Sequence, residues 1–348
     1  ENSRSSIALD VRACFIMGNL TVSNDKNRLV MVDDYDSKDC ILLKSLQDVA
    51  ERDSQMKSGG KESKSIEIIK ESKEMKSNLE SKSESVSDVE NFLTKVVRLL
   101  ANVCINERIG ATLCKDSRLE ILVELLERKH PGKNEELVLN VISAITNISF
   151  YQTEGAVLQR LGERLLGCLM PLLFSTNNEM LHEAVRVLGN FSRYPEFRQL
   201  MGSCRVDETM NVLLDHSNED IIFATTGVIL NISTDREARQ ALYANRCEGL
   251  QKVIECLYRF GQAHPSIATI VCKILINLSV NKKDESKISA EKTEIAELPT
   301  SLGDIWLPLE LRRNAEMWCE EWLAENEDGN KELSDICLHL LELMDKAA

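Results

Sequence analysis

One phrase returns six times along this chain of 348 residues: MGNLTVS, LLANVCI, AITNISF, VLGNFSR, VILNIST and ILINLSV. Its Asn falls at Asn19, Asn102, Asn147, Asn190, Asn231 and Asn277, and the last five are 45, 43, 41 and 46 residues apart. A fixed period of that length is one supersecondary unit repeated. A unit so small cannot bury its own apolar face, so neighbours must stack into a continuous core. The first interval, 83 residues, exceeds the period by the length of a foreign segment.

Each phrase ends a helical pattern. Relative to the Asn, apolar or small residues occupy offsets −10, −9, −6, −5, −3, −2 and +1, one wide face at a 3.6-residue period. For Asn147 these are Leu137, Val138, Val141, Ile142, Ala144, Ile145 and Ile148; for Asn190 they are Met180, Leu181, Ala184, Val185, Val187, Leu188 and Phe191. Polar turns mark the starts: Asn134-Glu135-Glu136, Asn178-Glu179 and Asn218-Glu219-Asp220, where Asn and early carboxylates meet the free N–H groups and the dipole. His264-Pro265-Ser266 instead uses Pro near the first helical position. Between phrases lies a second apolar helix (119–128, 164–174, 206–215, 248–260), with a shorter polar helix ahead of it, as in TEGAVLQRLG and EFRQLMGS.

A unit of about 43 residues whose third helix ends L-x-N-[LI]-S resembles the armadillo repeat over residues 1–30 and 88–280. HEAT repeats share the length but lack the phrase. The expected fold is therefore an all-α, armadillo-repeat right-handed superhelical solenoid. The longer strings IMGNLTVSND, LLANVCI, EELVLNVISAITNISFYQ and EAVRVLGNFS resemble a branch of that family from ciliated cells. This resemblance implies a role in assembling the axoneme of motile cilia or sperm flagella, including delivery of parts such as radial spokes by intraflagellar transport.

Residues 1–50 read as a partial repeat and the start of the next, and 89–280 as the repeats proper. Residues 51–88 are almost wholly Ser, Lys and Glu. Such a stretch buries too little apolar area to offset its ordering entropy, so a disordered insert is expected there, its serines a solvated loop or phosphorylation sites. Residues 281–300 read as a polar linker. Residues 301–348 hold all three Trp (Trp306, Trp318, Trp322) and the amphipathic LSDICLHLLELMDK. They are expected to form acidic C-terminal capping helices, since an array needs its last apolar face covered, or else a helix that docks a partner.

Charge is uneven: net −4 over 1–90, −1 over 91–280 and −9 over 281–348. That lacks the basic footprint of nucleic-acid binding. No apolar run reaches the roughly 18–20 residues of a membrane helix, so no membrane insertion is expected. Eleven cysteines without a C-x-x-C fit buried thiols in a reducing compartment, the cytoplasm, with the cilium or flagellum added by the resemblance. His130, His182, His216, His264 and His339 are isolated, and SGGKES (58–63) lacks phosphate-loop spacing. No metal, cofactor or catalysis is expected. The Asn-x-Ser/Thr triplets at Asn19, Asn147, Asn190, Asn231 and Asn277 match the glycosylation sequon, but the repeat explains them.

On a helix, offsets −7, −4 and 0 share a face. The resemblance implies that this face lines a concave groove, where the Asn bonds an extended partner's backbone, as an amide that both donates and accepts can do. Residue by residue this marks Asn19, Asn102, Asn147, Asn190, Asn231 and Asn277. The −4 positions hold Phe15, Arg98, Ser143, Arg186, Gly227 and Lys273, and −7 holds Arg12 and Lys95. Basic groups there suggest an acidic or phosphorylated segment of a protein partner. The same recurrence would follow if each Asn only bonded the next inter-repeat turn. Importin-type recognition, with Trp at −4, is disfavoured. The expected function is a non-catalytic adaptor; the alternatives are a static axonemal part or a catenin-like signalling or adhesion scaffold.

Overall fold

A computed structural model describes residues 2–31, 40–62, 85–151, 156–235, 244–279, 309–326 and 330–345, and these are all-α and free of strands. The chain forms two units, Glu1–Phe174 and Ser175–Ala348.

In the first unit, third helices of successive repeats are α1 (Asn2–Thr21), α4 (Val86–Val103) and α7 (Glu135–Phe150). Short first helices are α2 (Asp25–Met31), α5 (Glu107–Leu113) and α8 (Val157–Arg160); second helices are α3 (Ile41–Glu62), α6 (Glu120–Arg128) and α9 (Gly162–Leu169). The third helices stack, α1 on α4 and α4 on α7. In α7 the seven apolar offsets are all at most 2% exposed, as their period requires.

Ser85 caps α4 by accepting from the Asp88 N–H, and Asn106 caps α5 by accepting from Ile109 N–H. Asn134 does not cap α7; its amide donates to Glu90 instead. Glu90 also meets Lys129 Nζ at 3.1 Å, and Asp53 meets it at 2.7 Å, with Lys129 and Asp53 both essentially sealed from solvent.

Those contacts correct the insert expected over 51–88. Helix α3 runs on to Glu62, because Leu43, Leu46, Val49 and Ala50 bury its inner face and Asp53 carries that face on into the Lys129 pair. At the other end, 85–88 already start α4. The rest of the insert, 63–84, lies outside the described residues, as do the linker 281–300 and Trp306.

In the second unit the third helices are α10 (Asn178–Phe191), α13 (Glu219–Ile232) and α15 (Pro265–Ser279). Between them lie α11 (Pro195–Ser203), α12 (Val206–Leu213) and α14 (Ala244–Cys256), the last continued by a turn of π-helix to Gly261. Asn177 and Asn218 each accept two backbone N–H groups and cap α10 and α13, and Pro265 opens α15. The cap of α10 is thus one residue earlier than the polar turn suggests.

Two further helices, α16 (Leu309–Glu325) and α17 (Lys331–Asp345), pack on α14 and α15. They seal the last repeat with Trp318 and Trp322, both 2% exposed and stacked at 5.6 Å. Trp318 comes so close to Gly261 that a Cβ there would lie 2.5 Å from its ring. No described helix is long and apolar enough to cross a membrane.

Candidate functional site: the asparagine ladder

The ladder amides sit on the unburied edge of the third helices, where the rows at −4 and −7 are half-exposed or exposed; from α4 onward the rows beside them are sealed, while on α1 Ile16 and Leu20 are exposed. What they touch follows one rule. Asn102 Nδ2 donates to the carbonyl of Gly18 at 3.0 Å, and Asn147 Nδ2 to that of Ala101 at 2.9 Å. In the second unit Asn231 Nδ2 donates to the Gly189 carbonyl at 3.2 Å, and Asn277 Nδ2 to that of Leu230 at 3.5 Å. Every acceptor is the residue just before the ladder Asn of the preceding repeat. In these four the amide therefore ties its third helix to the one before it in the same unit, rather than to the turn that follows.

Asn231 and Asn277 donate a second time, to Ser192 Oγ at 2.9 Å and Ser233 Oγ at 3.0 Å. Each of those hydroxyls gives its own proton back to its helix, Ser192 to Gly189 and Ser233 to Leu230, and so presents a lone pair. This accounts physically for the Ser two residues after the Asn. The Oδ1 atoms of Asn102, Asn147, Asn231 and Asn277 have no partner among the described residues. Asn190 is half-exposed and its backbone carbonyl accepts from Arg193 Nε, while Asn19 is exposed.

The basic groups of the ladder are less free than the pattern suggests. Lys95 pairs with Glu136 at 2.7 Å, Arg186 with Glu183 at 2.7 Å and Lys273 with Glu332 at 2.9 Å. Arg98 and the exposed Arg12 have no ion pair among the described residues. Sequence reasoning missed these acids because Glu136 and Glu332 come from a neighbouring helix. Phe15 is 48% exposed, Ser143 is half-exposed, and nothing stands within 4 Å of where a side chain on Gly227 would begin.

A second cluster has no counterpart in the sequence patterns. Cys272 on α15, Cys319 on α16 and Cys337 on α17 bring their Sγ atoms within 4.8 Å of one another, each fully buried. The neighbouring Cys272 and Cys319 thiols hold the Cys337 thiol below the usual thiol range, while the same neighbours and burial push Cys272 up. Cys14, Cys40, Cys104, Cys114 and Cys256 are buried as well, and Cys204 is exposed.

No family model matches the chain. Over 202 residues it is 39% identical to armadillo repeat-containing protein 2 of Mus musculus, covering 58% of this chain and 23% of that protein. The Homo sapiens protein of the same name is 34% identical over 196 residues, 56% of this chain and 22% of its own. The chain thus spans less than a quarter of the length of these curated relatives. Among solved structures, a designed armadillo repeat protein in complex with a (KR)4 peptide matches with a TM-score of 0.54 at 20% identity, covering 73% of this chain and 94% of its own. A structure described as a phosphorylation switch in the interaction between cadherin and beta-catenin matches with a TM-score of 0.62 at 13% identity, over 96% of this chain and 54% of its own. The chain therefore has the armadillo-repeat fold and, over more than half its length, a sequence similar to armadillo repeat-containing protein 2.

Proposed function

We propose that this chain is a non-catalytic scaffold that holds an extended segment of a protein partner along its asparagine ladder. The observation that carries the reading is the half-used amide. The N–H side of each tied Asn donates to the preceding repeat, and the Oδ1 side has no partner among the described residues. A row of such acceptors suits the backbone N–H groups of an extended chain, which would not need a particular side-chain sequence to be held. Arg98 and Arg12 add positive charge, and an acidic or phosphorylated segment would compete for Lys95, Arg186 and Lys273 with the acids already there. The peptide in the designed relative's complex and the cadherin partner of beta-catenin support a peptide-holding surface on this fold.

By its similarity to armadillo repeat-containing protein 2, the proposed setting is the cytoplasm and motile cilium or sperm flagellum. There the scaffold works as a cargo adaptor in axoneme assembly. Changing Arg98, Arg186 and Lys273 together to Glu tests the ladder. Helicity and melting should persist, because exposed ion pairs contribute about 0–1 kcal/mol each, while partner capture from ciliated-cell extract is lost. Undiminished capture refutes the ladder reading. Fractionated motile cilia test the adaptor: a salt-extractable pool is expected, and retention on extracted axonemes would make the chain a fixed structural part.

A further inference from the structure

The three clustered thiols of the second unit are independent of the ladder asparagines. Cys272 comes from the last repeat and Cys319 and Cys337 from the two helices that cover it, so three separate elements deliver one sulfur each to a single point. Among the described residues no other three His, Cys, Asp or Glu side chains converge in this way. The residues around them on the same helices, Leu275, Ala315, Trp318, Leu333 and Leu340, are buried and apolar.

We propose that Cys272, Cys319 and Cys337 form a three-thiolate site for a soft d10 metal ion, of the Cu(I) class, that pins the terminal helices to the last repeat. A metal–sulfur bond of about 2.3 Å places three equivalent sulfurs roughly 4.0 Å apart in a trigonal arrangement. Sulfur atoms already within 4.8 Å of one another reach that spacing by side-chain adjustment of about an ångström or less. Soft thiolates select Cu(I) and Zn(II) over the hard cations. Zn(II) in structural sites takes four ligands, and this group supplies three. Cu(I) is satisfied by three thiolates, which favours it in a site closed to water. Each thiol that ligates releases its proton to solvent, and the metal keeps its oxidation state, so no oxidant or reductant is consumed. The spacing of the three cysteines, 47 and 18 residues, carries no metal-binding motif because the ligands meet only after the helices pack.

The test uses the full chain, reduced, stripped with chelator and titrated without oxygen with Cu(I) against a coloured Cu(I) chelator, with Zn(II) as a parallel arm. One tightly held equivalent of Cu(I) is expected, lost in Cys337→Ser and kept in Cys204→Ser, whose thiol is exposed and outside the cluster. X-ray absorption on the loaded wild-type chain decides the matter without any variant. Three sulfur neighbours at about 2.3 Å and no lighter ligand are expected. Failure to hold Cu(I) against the chelator, retention by a helical Cys337→Ser chain, or nitrogen or oxygen in the metal's shell would overturn the proposal. So would Zn(II) held more tightly than Cu(I) with a fourth ligand.

Discussion

Within each of the two units the repeats are joined through the same Asn but not in the same way. In the second unit each tied amide closes two hydrogen bonds, to a carbonyl and to a Ser hydroxyl of the preceding third helix. In the first unit it closes one. The units also differ at the residue two places after the preceding Asn, a Ser at both tied junctions of the second unit. In the first unit that position holds Thr21 ahead of Asn102, with its hydroxyl on the carbonyls of Met17 and Gly18, and Cys104, which has no hydroxyl, ahead of Asn147. The first unit instead carries a sealed charge cluster, Lys129 between Asp53 and Glu90, and the second carries an apolar cover of stacked Trp. A repeat phrase can thus be kept while the force that holds the repeats together changes from one unit to the next.

The largest test of that contrast is Lys129→Ala. It strands Asp53 in the interior and should destabilise the first unit by about 3–5 kcal/mol, leaving the second intact. Because arrays unfold in parts, native-state hydrogen exchange read helix by helix is the suitable measurement. Equal loss of protection in α13 and α15 would contradict independent units.

Gly261→Ala is the matching test of the apolar cover. Its Cβ would meet the buried Trp318 ring, and overpacking of that kind costs about 1–3 kcal/mol. Faster exchange in α16 and a red-shifted Trp fluorescence are expected, with the first unit unchanged.

Ser192→Ala removes one of the two bonds that Asn231 makes and should cost about 1 kcal/mol. A double-mutant cycle with Asn231→Ala would give a coupling term, whereas Cys104→Ala paired with Asn147→Ala should give almost none.

The smallest expected effect is on acid stability. For Asp116, burial pushes the carboxyl up, but hydrogen bonds from the Arg118 side chain and backbone and the Arg118 charge together carry it below its ordinary value. A carboxyl lowered on folding stabilises the chain above the unfolded value near 3.9 and loses that contribution as pH falls through the lowered one. Asp116→Asn should therefore narrow the gap between urea midpoints at neutral and acid pH. An unchanged gap would show that the Arg118 contacts do not hold in solution.

Much of this was legible in the sequence, and the reason is periodicity. The seven offsets around Asn147 and Asn190 name a sealed face correctly because a helix has only one way to present them. The long-range choices were not legible. Asn134 looks like a cap yet serves Glu90, and α3 outlasts its polar composition because Asp53 finds Lys129 in another repeat. Arg186 is paired within its own helix, but Lys95 and Lys273 find acids that only packing brings near. The thiol cluster lies beyond any spacing rule, since its members are set by three different helices.

The most direct test of the central claim places a photoreactive amino acid at Ser143 or at Gly227, each four residues before a ladder Asn, and as a control at the exposed Glu163 on α9. Irradiated in ciliated-cell extract, both ladder positions should capture the same protein partner and Glu163 should not. Capture from Glu163 alone, or equally from all three, would contradict a ladder that faces its partner.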